Sequence, residues 1–268
     1  VNELGRAGCA FLAVMRRDLH VFLSYRTRLV SQALTSVFSL TLFYYVSRLV
    51  HVSGFTAESY FGFVVVGIAL VTVLYSCFSV AELVRQELVA GTFERLLLSP
   101  FGAVRSVIAM TLFPLLYSFA MAAITLGLGA AVFGLQLHWS TVPLSVPAMC
   151  LALLAFMPFG LLFAALTVST KQGNVGTAWV IALISIVGGL YFPISLLPEW
   201  TQTAARMQPF TPATEVLRHL LVGTPQSTST ATAVAKLVVF AAVLIPASLF
   251  ALQKAIRFGQ RRGTIIEY

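Results

Sequence analysis

Six apolar runs joined by shorter polar connections dominate the chain, at residues 29–50, 60–82, 106–134, 142–168, 174–197 and 233–256. Each comes close to or exceeds the roughly 20 apolar residues that a helix needs to cross a bilayer. None alternates with period two, as a barrel strand would. The pattern predicts an all-α membrane protein with six transmembrane helices. Residues 3–25, ahead of the first run, follow a different pattern. At about 100° per residue, Phe11, Leu12, Met15, Leu19, Phe22 and Leu23 share one side of a helix, with Arg16, Arg17, His20 and Ser24 opposite. That is the layout of a helix lying in the membrane interface. Its basic face anchors the chain to anionic headgroups and is also available to a cytosolic partner.

Two connections depart from plain linkers. Between the second and third runs lies a charged island, Glu82 to Pro100, with Glu82, Arg85, Glu87, Glu94 and Arg95. Residues 82–90 can extend the second span. Gly91 suits a helix C-terminus, Thr92 the N-cap of a new short helix, and Glu94 its first turn. Pro100 ends that helix near Ser99. Read as one continuous helix instead, the island sets Val89, Phe93, Leu96 and Leu97 on one face and Glu87, Gly91 and Glu94 on the other. The second departure is residues 191–223. Pro193 and Pro198 break the fifth run, and Pro198 opens a short helix to about Met207. Thr211 reads as an N-cap, Pro212 as the first helical residue and Gly223 as the stop. Glu199, Arg206, Glu215 and Arg218 rule out a span, while Leu196, Leu197, Phe210, Leu217 and Leu220 are too apolar for a free loop. Two short helices folded back along the outer leaflet, with Trp200 as interface anchor, satisfy both. Such a block shields loops or gates an exit. Exposed Gln202 and Thr214 and protected Leu217 and Leu220 are expected.

Composition confirms the class: 59% of the 268 residues are hydrophobic and 10% charged, against about 25% charged in soluble domains. The charged residues orient the chain. With both termini in the cytosol, Arg6, Arg16, Arg17, Arg26, Arg28, Arg85, Arg95, Arg105, Lys171, Lys254, Arg257, Arg261 and Arg262 lie inside, and only Arg48, Arg206, Arg218 and Lys236 outside. This excess of inside Lys and Arg makes the net charge of +8 largely a topology signal. The small Arg261–Arg262 pair makes no nucleic-acid face. No secretory leader layout is present at the N-terminus. The expected location is the plasma or inner membrane, multi-pass.

The apolar runs offer little chemistry. Near mid-depth they carry no carboxylate or histidine to act as an ion relay. Asp18 is the single aspartate, and His20, His51, His138 and His219 fall outside the apolar cores. Cys9, Cys77 and Cys150 lie far apart and read as small buried residues rather than metal ligands or disulfides. No metal site, catalytic constellation or phosphate-binding loop is expected. A transporter so built draws its energy from another chain or is a passive pore.

The segment Glu87…Gly91-Thr92-Phe93-Glu94…Leu97…Ser99-Pro100 resembles the signature that follows the second span of type-2 ATP-binding-cassette (ABC) exporter permeases. The block Tyr191–Trp200 followed by Pro209–Arg218 resembles their Pro-rich outer loop and its Arg-bearing helix. The resemblance covers nearly the whole chain. It implies a single permease domain over 1–268, with an interfacial helix at 1–28, a cytosolic coupling segment at 83–100 and an outer re-entrant segment at 191–223. It implies two permease protomers, identical or homologous, on two cytosolic ABC ATPase subunits. ATP and Mg would be bound by the ATPase, leaving no cofactor in this chain. The coupling role falls on Glu87, Gly91, Thr92 and Glu94. Arg95 joins them because its guanidinium can pair with carboxylates across a cytosolic contact. Pro193, Pro198, Trp200 and Arg218 would form the outer gate. A path for an amphiphilic drug or lipid, moved outward, has Phe38, Phe43, Tyr44, Tyr45, Tyr75 and Trp179 available. The first-span region Arg26–Phe43 lacks the Trp and Gly of polysaccharide exporters, which favours the drug or lipid branch. A permease for lipid-linked polysaccharide or glycolipid is the alternative within transport. A non-transporting membrane scaffold is the alternative outside it.

Overall fold

The computed structural model describes residues 26–49, 56–98, 102–170 and 176–261, together with Leu12, Met15–Arg17, Leu19, His20 and Ser24. The described chain is all helical. Its helices are α1 (Arg26–Leu49), α2 (Ala57–Val89), α3 (Phe93–Leu98), α4 (Ala103–Phe133), α5 (Val142–Thr170), α6 (Thr177–Val187), α7 (Glu199–Met207), α8 (Phe210–Val222) and α9 (Thr230–Arg261). A 3-10 turn, Ile194–Leu196, precedes α7. The interfacial helix expected before α1 falls largely outside the described residues, although those described there are helical.

Local signals explain the ends. Thr56 caps α2, its Oγ1 accepting from the Ser59 amide at 3.2 Å, with Glu58 in the first turn. At the far ends of α4 and α8 the chain leaves the helix through Gly134 and Gly223, at φ 70° and 68°. A Cβ is disfavoured in that conformation.

Among the described residues, four helices are long and apolar enough to cross a membrane: α2, α4, α5 and α9. The other two predicted spans differ. Helix α1 has the length, at 24 residues, but Ser31, Gln32, Thr35, Ser36, Ser39, Thr41 and Ser47 make it less apolar. Thr35 and Thr41 fold their hydroxyls back onto the Ser31 and Val37 carbonyls, at 2.9 and 2.8 Å. Helix α6 is apolar but has 11 residues, or about 16 Å of helix. It stops at Gly188–Gly189 rather than running to residue 197. Gly189 adopts φ 67°, so the turn comes before either Pro193 or Pro198 can act.

Helix α2 is the axis of the bundle. Its most apolar stretch is 72% buried, against 22% for α9, so α9 is peripheral and rests mainly on α5. Backbones approach closely at two glycines. A Cβ on Gly160 would lie 1.9 Å from the Cys77 carbonyl oxygen, and one on Gly67 would lie 1.8 Å from that of Leu190. Only glycine permits either contact.

Side chains cluster by end. Val80, Val84 and Leu88 of α2 meet Phe93, Val107 of α4, Leu161 and Val168 of α5, and Leu252 and Ile256 of α9. Towards the other end, Leu70 and Leu74 meet Met149, Phe156, Phe210, Leu217 and Leu237. Leu40, Phe61, Val65 and Leu135 form a third group. The end of α2 therefore meets the start of α4 and the ends of α5 and α9, as consecutive antiparallel crossings require.

Candidate functional sites

The charged island is two elements. Helix α2 continues through the predicted extension to Val89, and Gly91, at φ 67°, turns the chain. Nothing lies within 4 Å of where a Cβ on Gly91 would be, so conformation rather than space selects glycine there. The one-turn helix α3 follows, and Phe93, 1% exposed, plugs it into the cluster formed by α2, α4, α5 and α9. Leu96 and Leu97 pack at its edge, whereas Val89 and Leu98 are exposed. The continuous-helix reading is thus replaced by a break at Gly91, and Val89 leaves the apolar stripe.

Thr92 differs from its expected role. Its hydroxyl does not cap α3; it donates back to the Glu87 carboxylate and, at 3.3 Å, to the Glu87 carbonyl. Arg17 of the preceding segment lies 3.7 Å from the other Glu87 carboxylate oxygen. Glu87 and Thr92 therefore form a clasp across the Gly91 turn that fixes the angle of α3. Nearby, Arg85 grips Glu82 with two hydrogen bonds of 2.9 and 2.6 Å. Glu94 is half-buried and Arg95 exposed. Neither has an ion pair among the described residues. Ser99 and Pro100 lie outside the described residues.

The outer block builds around Arg218. This side chain is 4% exposed. It donates to the Phe63 carbonyl at 3.0 Å, the Gly189 carbonyl at 2.8 Å and the Leu190 carbonyl at 2.7 Å. Its guanidinium carbon stands 3.3 Å from the centre of the Phe63 ring, a cation–π placement. Desolvation lowers its pKa to about 9, against the opposing pull of the Glu215 carboxylate, so it is charged at neutral pH. Arg218 thus satisfies carbonyls freed where α6 ends and ties that end to α2 and α8. The sequence placed it on the outer side as a gate residue; burial makes it an internal brace. The signal available was its position among Val216, Leu217, Leu220 and Leu221, one turn after Glu215.

Helix α8 starts at Phe210, after Pro209, earlier than the expected Thr211 cap. Pro209 has φ −75° and ψ −16°, already helical, so the turn forms one residue pair sooner. Thr211 then falls inside the first turn, buried, with its Oγ1 unpartnered. Thr214 is 1% exposed and donates to Phe210 and Thr211 carbonyls, contrary to the expected exposure. Leu217 is buried as expected and Gln202 half-exposed. Pro193 is buried at the start of the 3-10 turn, Pro198 stands at the N-cap of α7, and Trp200 is 77% exposed.

The six candidate path residues do not share one surface. Phe38, Tyr45, Tyr75 and Trp179 are exposed at the surface of the chain. Phe43 stacks on Tyr191, ring centres 5.7 Å apart. Tyr44 packs edge-on to Phe61 at 5.5 Å and against Phe133 at 5.3 Å. Tyr191 was not among the expected path residues; it receives Phe43, and its carbonyl accepts from the Tyr60 hydroxyl at 3.5 Å.

Two cavities open at this end. One of about 320 Å³ lies between the 3-10 turn, α7 and α8, with Arg206, Glu215 and Arg218 in its wall. One of about 460 Å³ is lined by Tyr44, Phe61 and Phe133 together with Arg48, Glu58, Gln136 and His138. No cluster of three or more metal-ligating side chains occurs among the described residues.

Comparison with known proteins agrees with this architecture. Over 106 residues the chain is 31% identical to Nodulation protein J of Rhizobium leguminosarum bv. trifolii, a match covering 40% of this chain and 40% of that protein. The family model described as ABC-2 type transporter matches residues 10–222. With most of its length inside that match, and with three further membrane-length helices around a buried α2, the chain belongs to the ABC-2 type transporter family as a membrane permease subunit.

Proposed function

We propose that this chain is the membrane half of an ATP-driven exporter and that α3 is where a cytosolic ATPase pushes on it. Permeases of this family generally work with such a partner. The observation that carries the reading is the mounting of α3. Phe93 is sunk into a cluster fed by α2, α4, α5 and α9, and the Thr92–Glu87 clasp sets its angle. A load on α3 is therefore delivered to four long helices at once. Glu94 and Arg95 are available for a partner's charges. In this reading the α3 end is cytosolic, α1 and α6 complete six crossings, and 191–223 forms the outer gate. Two protomers, identical or homologous, sit on two ATPase subunits that hold ATP and Mg, and the substrate passes between protomers.

The substrate is an amphiphile, because Phe38, Tyr45, Tyr75 and Trp179 leave aromatic, uncharged surface outside the protomer. A glycolipid substrate has support of its own. The larger cavity is lined by both aromatic rings and planar polar groups, which suits the faces and hydroxyls of a sugar.

The test is charge reversal, Glu94→Arg or Arg95→Glu. With the permease and its ATPase co-reconstituted, either change lowers stimulated ATP hydrolysis and transport at least tenfold. Thermal unfolding of the permease stays put, because neither side chain is in the core. Undiminished hydrolysis and transport in both variants would remove the docking model.

A further inference from the structure

Helix α9 has two unlike sides. It is one of the four helices long and apolar enough to cross a membrane. Leu237, Ala241, Ser248, Leu252, Ala255 and Ile256 are buried. Val239, Val243 and Phe250 are 61%, 63% and 68% exposed. At about 100° per residue, the exposed three share one side of the helix and the buried six the opposite one. The exposed side is an apolar stripe with no protein over it among the described residues.

Cations bracket that stripe. Lys236 stands before it, and Lys254, Arg257 and Arg261 after it. Together with Val239, Val243, Ala247 and Phe250 they fall within a sector of about 80°. Lys254, Arg257 and Arg261 are exposed and Lys236 is half-exposed. The spacing matches a bilayer. From Lys236 to Lys254 the helix rises about 27 Å, close to the thickness of about 30 Å of the hydrocarbon layer. Long basic side chains at either border keep their stems on apolar surface and their heads in the polar layer. The stripe then lies along acyl chains, and the three cations beyond it stand at headgroup depth.

Nothing in the helix offsets these charges. Residues 230–261 contain no acid, and none of the three cations has an ion pair among the described residues. A helix end favours cations in its last turn at any azimuth, so it does not account for three on one side. A partner seated on α3 does not account for them either. Phe93 packs with Leu252 and Ile256, on the buried side, so α3 lies across α9 from the cations. The ligand that fits carries an oxyanion for two guanidinium groups and an ammonium, joined to apolar chains that continue along the stripe.

We propose that the Lys254, Arg257 and Arg261 face of α9 binds the headgroup of an anionic phospholipid, whose acyl chains run along Phe250, Ala247 and Val243. The proposal requires that α9 cross the membrane and does not depend on ATPase docking.

The experiment places a reporter on the stripe itself. Full-length protein carrying Phe250→Trp is reconstituted in phosphatidylcholine vesicles that contain increasing amounts of phosphatidylglycerol with brominated acyl chains, and in parallel with brominated phosphatidylcholine. Bromine quenches the added indole only where a lipid chain touches it, so the difference from the parent protein reads the lipid beside residue 250. Phosphatidylglycerol is expected to be favoured there about fivefold, the effect of roughly one basic residue at an anionic surface. Lys254→Gln, Arg257→Gln and Arg261→Gln each lower the ratio about twofold, and the triple variant brings it to about one. All three side chains are exposed, so the unfolding temperature stays at the parent value; the single variants give the same reading should the triple one not fold. Arg206→Gln, an exposed charge outside α9, leaves the ratio unchanged. Equal quenching by the two lipids before any charge is removed overturns the proposal, as does a preference that survives in the triple variant and in all the single ones. An equal loss in Arg206→Gln would reduce the effect to general surface charge and overturn it too.

Discussion

Arg218 concentrates more of the outer architecture than any other side chain. Three carbonyls from two separate segments converge on it, and the Gly189 and Leu190 carbonyls, past the end of α6, would be stranded by its removal. At roughly 1–3 kcal/mol per stranded buried group, Arg218→Ala is expected to cost on the order of 2 kcal/mol or more. Arg218→Lys, which keeps the charge but not the fork, is expected to fall between. Thermal unfolding of detergent-purified protein measures both, and an unchanged midpoint for Arg218→Ala would show that the brace contributes nothing. At this scale the sequence revealed residue types better than environments. Gly91 and Gly223 were readable as helix stops because the need for positive φ is local. Arg218 was not readable as a brace, because its acceptors lie 155, 29 and 28 residues away. Thr211 was misread since Pro209 can start a helix on its own, and no neighbour announces which of two starts wins.

The short elements carry the functional contrast. Helix α3, six residues long, has too few hydrogen bonds to persist alone and is held by Phe93. Phe93→Ala, at about 3–5 kcal/mol for such a truncation, is expected to free α3 from the bundle and to abolish stimulated ATP hydrolysis, while the long helices still insert. Retention of stimulation in that variant would show that α3 needs no anchor. Helices α7 and α8 make a different forecast, in accessibility. A cysteine at Gln202 is expected to react with an impermeant thiol reagent added from outside, and cysteines at Thr214 and Leu217 to be protected. Rapid labelling at Thr214 would contradict the packing of α8. The break before these helices was only partly readable. Pro193 and Pro198 advertise an interruption, yet the helix ends earlier at Gly188–Gly189, a pair that within an apolar run reads equally as close packing. Burial of Thr214 depends on α5 and α2, which no local pattern reveals.

For the whole molecule, the alternation of apolar runs predicted antiparallel crossings, and the segregation of side-chain clusters at opposite ends of the bundle agrees. The pattern was strong for α2, α4, α5 and α9 because unbroken apolar length is itself the physical requirement. It was weaker for α1, diluted by small polar residues that fold back on their own helix, and for α6, cut short by glycine. The absolute direction rests on the Lys and Arg excess. Reporters fused after Arg261 and within 224–229 are expected to fall on opposite sides of the membrane, the first cytosolic. Placement of both on one side would break the six-crossing scheme.

The glycine contacts on α2 restrict how such a molecule can move. Gly67 touches the Leu190 carbonyl and the Cys77 carbonyl touches Gly160, so the axial helix is pinned at two heights against two different neighbours. A peptide oxygen seated where a methyl would not fit leaves no clearance for sliding or for rotation about the helix axis. Helices α2 and α5 and the end of α6 then share one set of rigid-body coordinates. An aperture wide enough for a solute is expected where such seating is absent, and in the proposed path that is along the faces that carry Phe38, Tyr45, Tyr75 and Trp179. In the proposed two-protomer assembly the mobile seam is then external to each chain, and a single copy is closer to a door leaf than to a doorway.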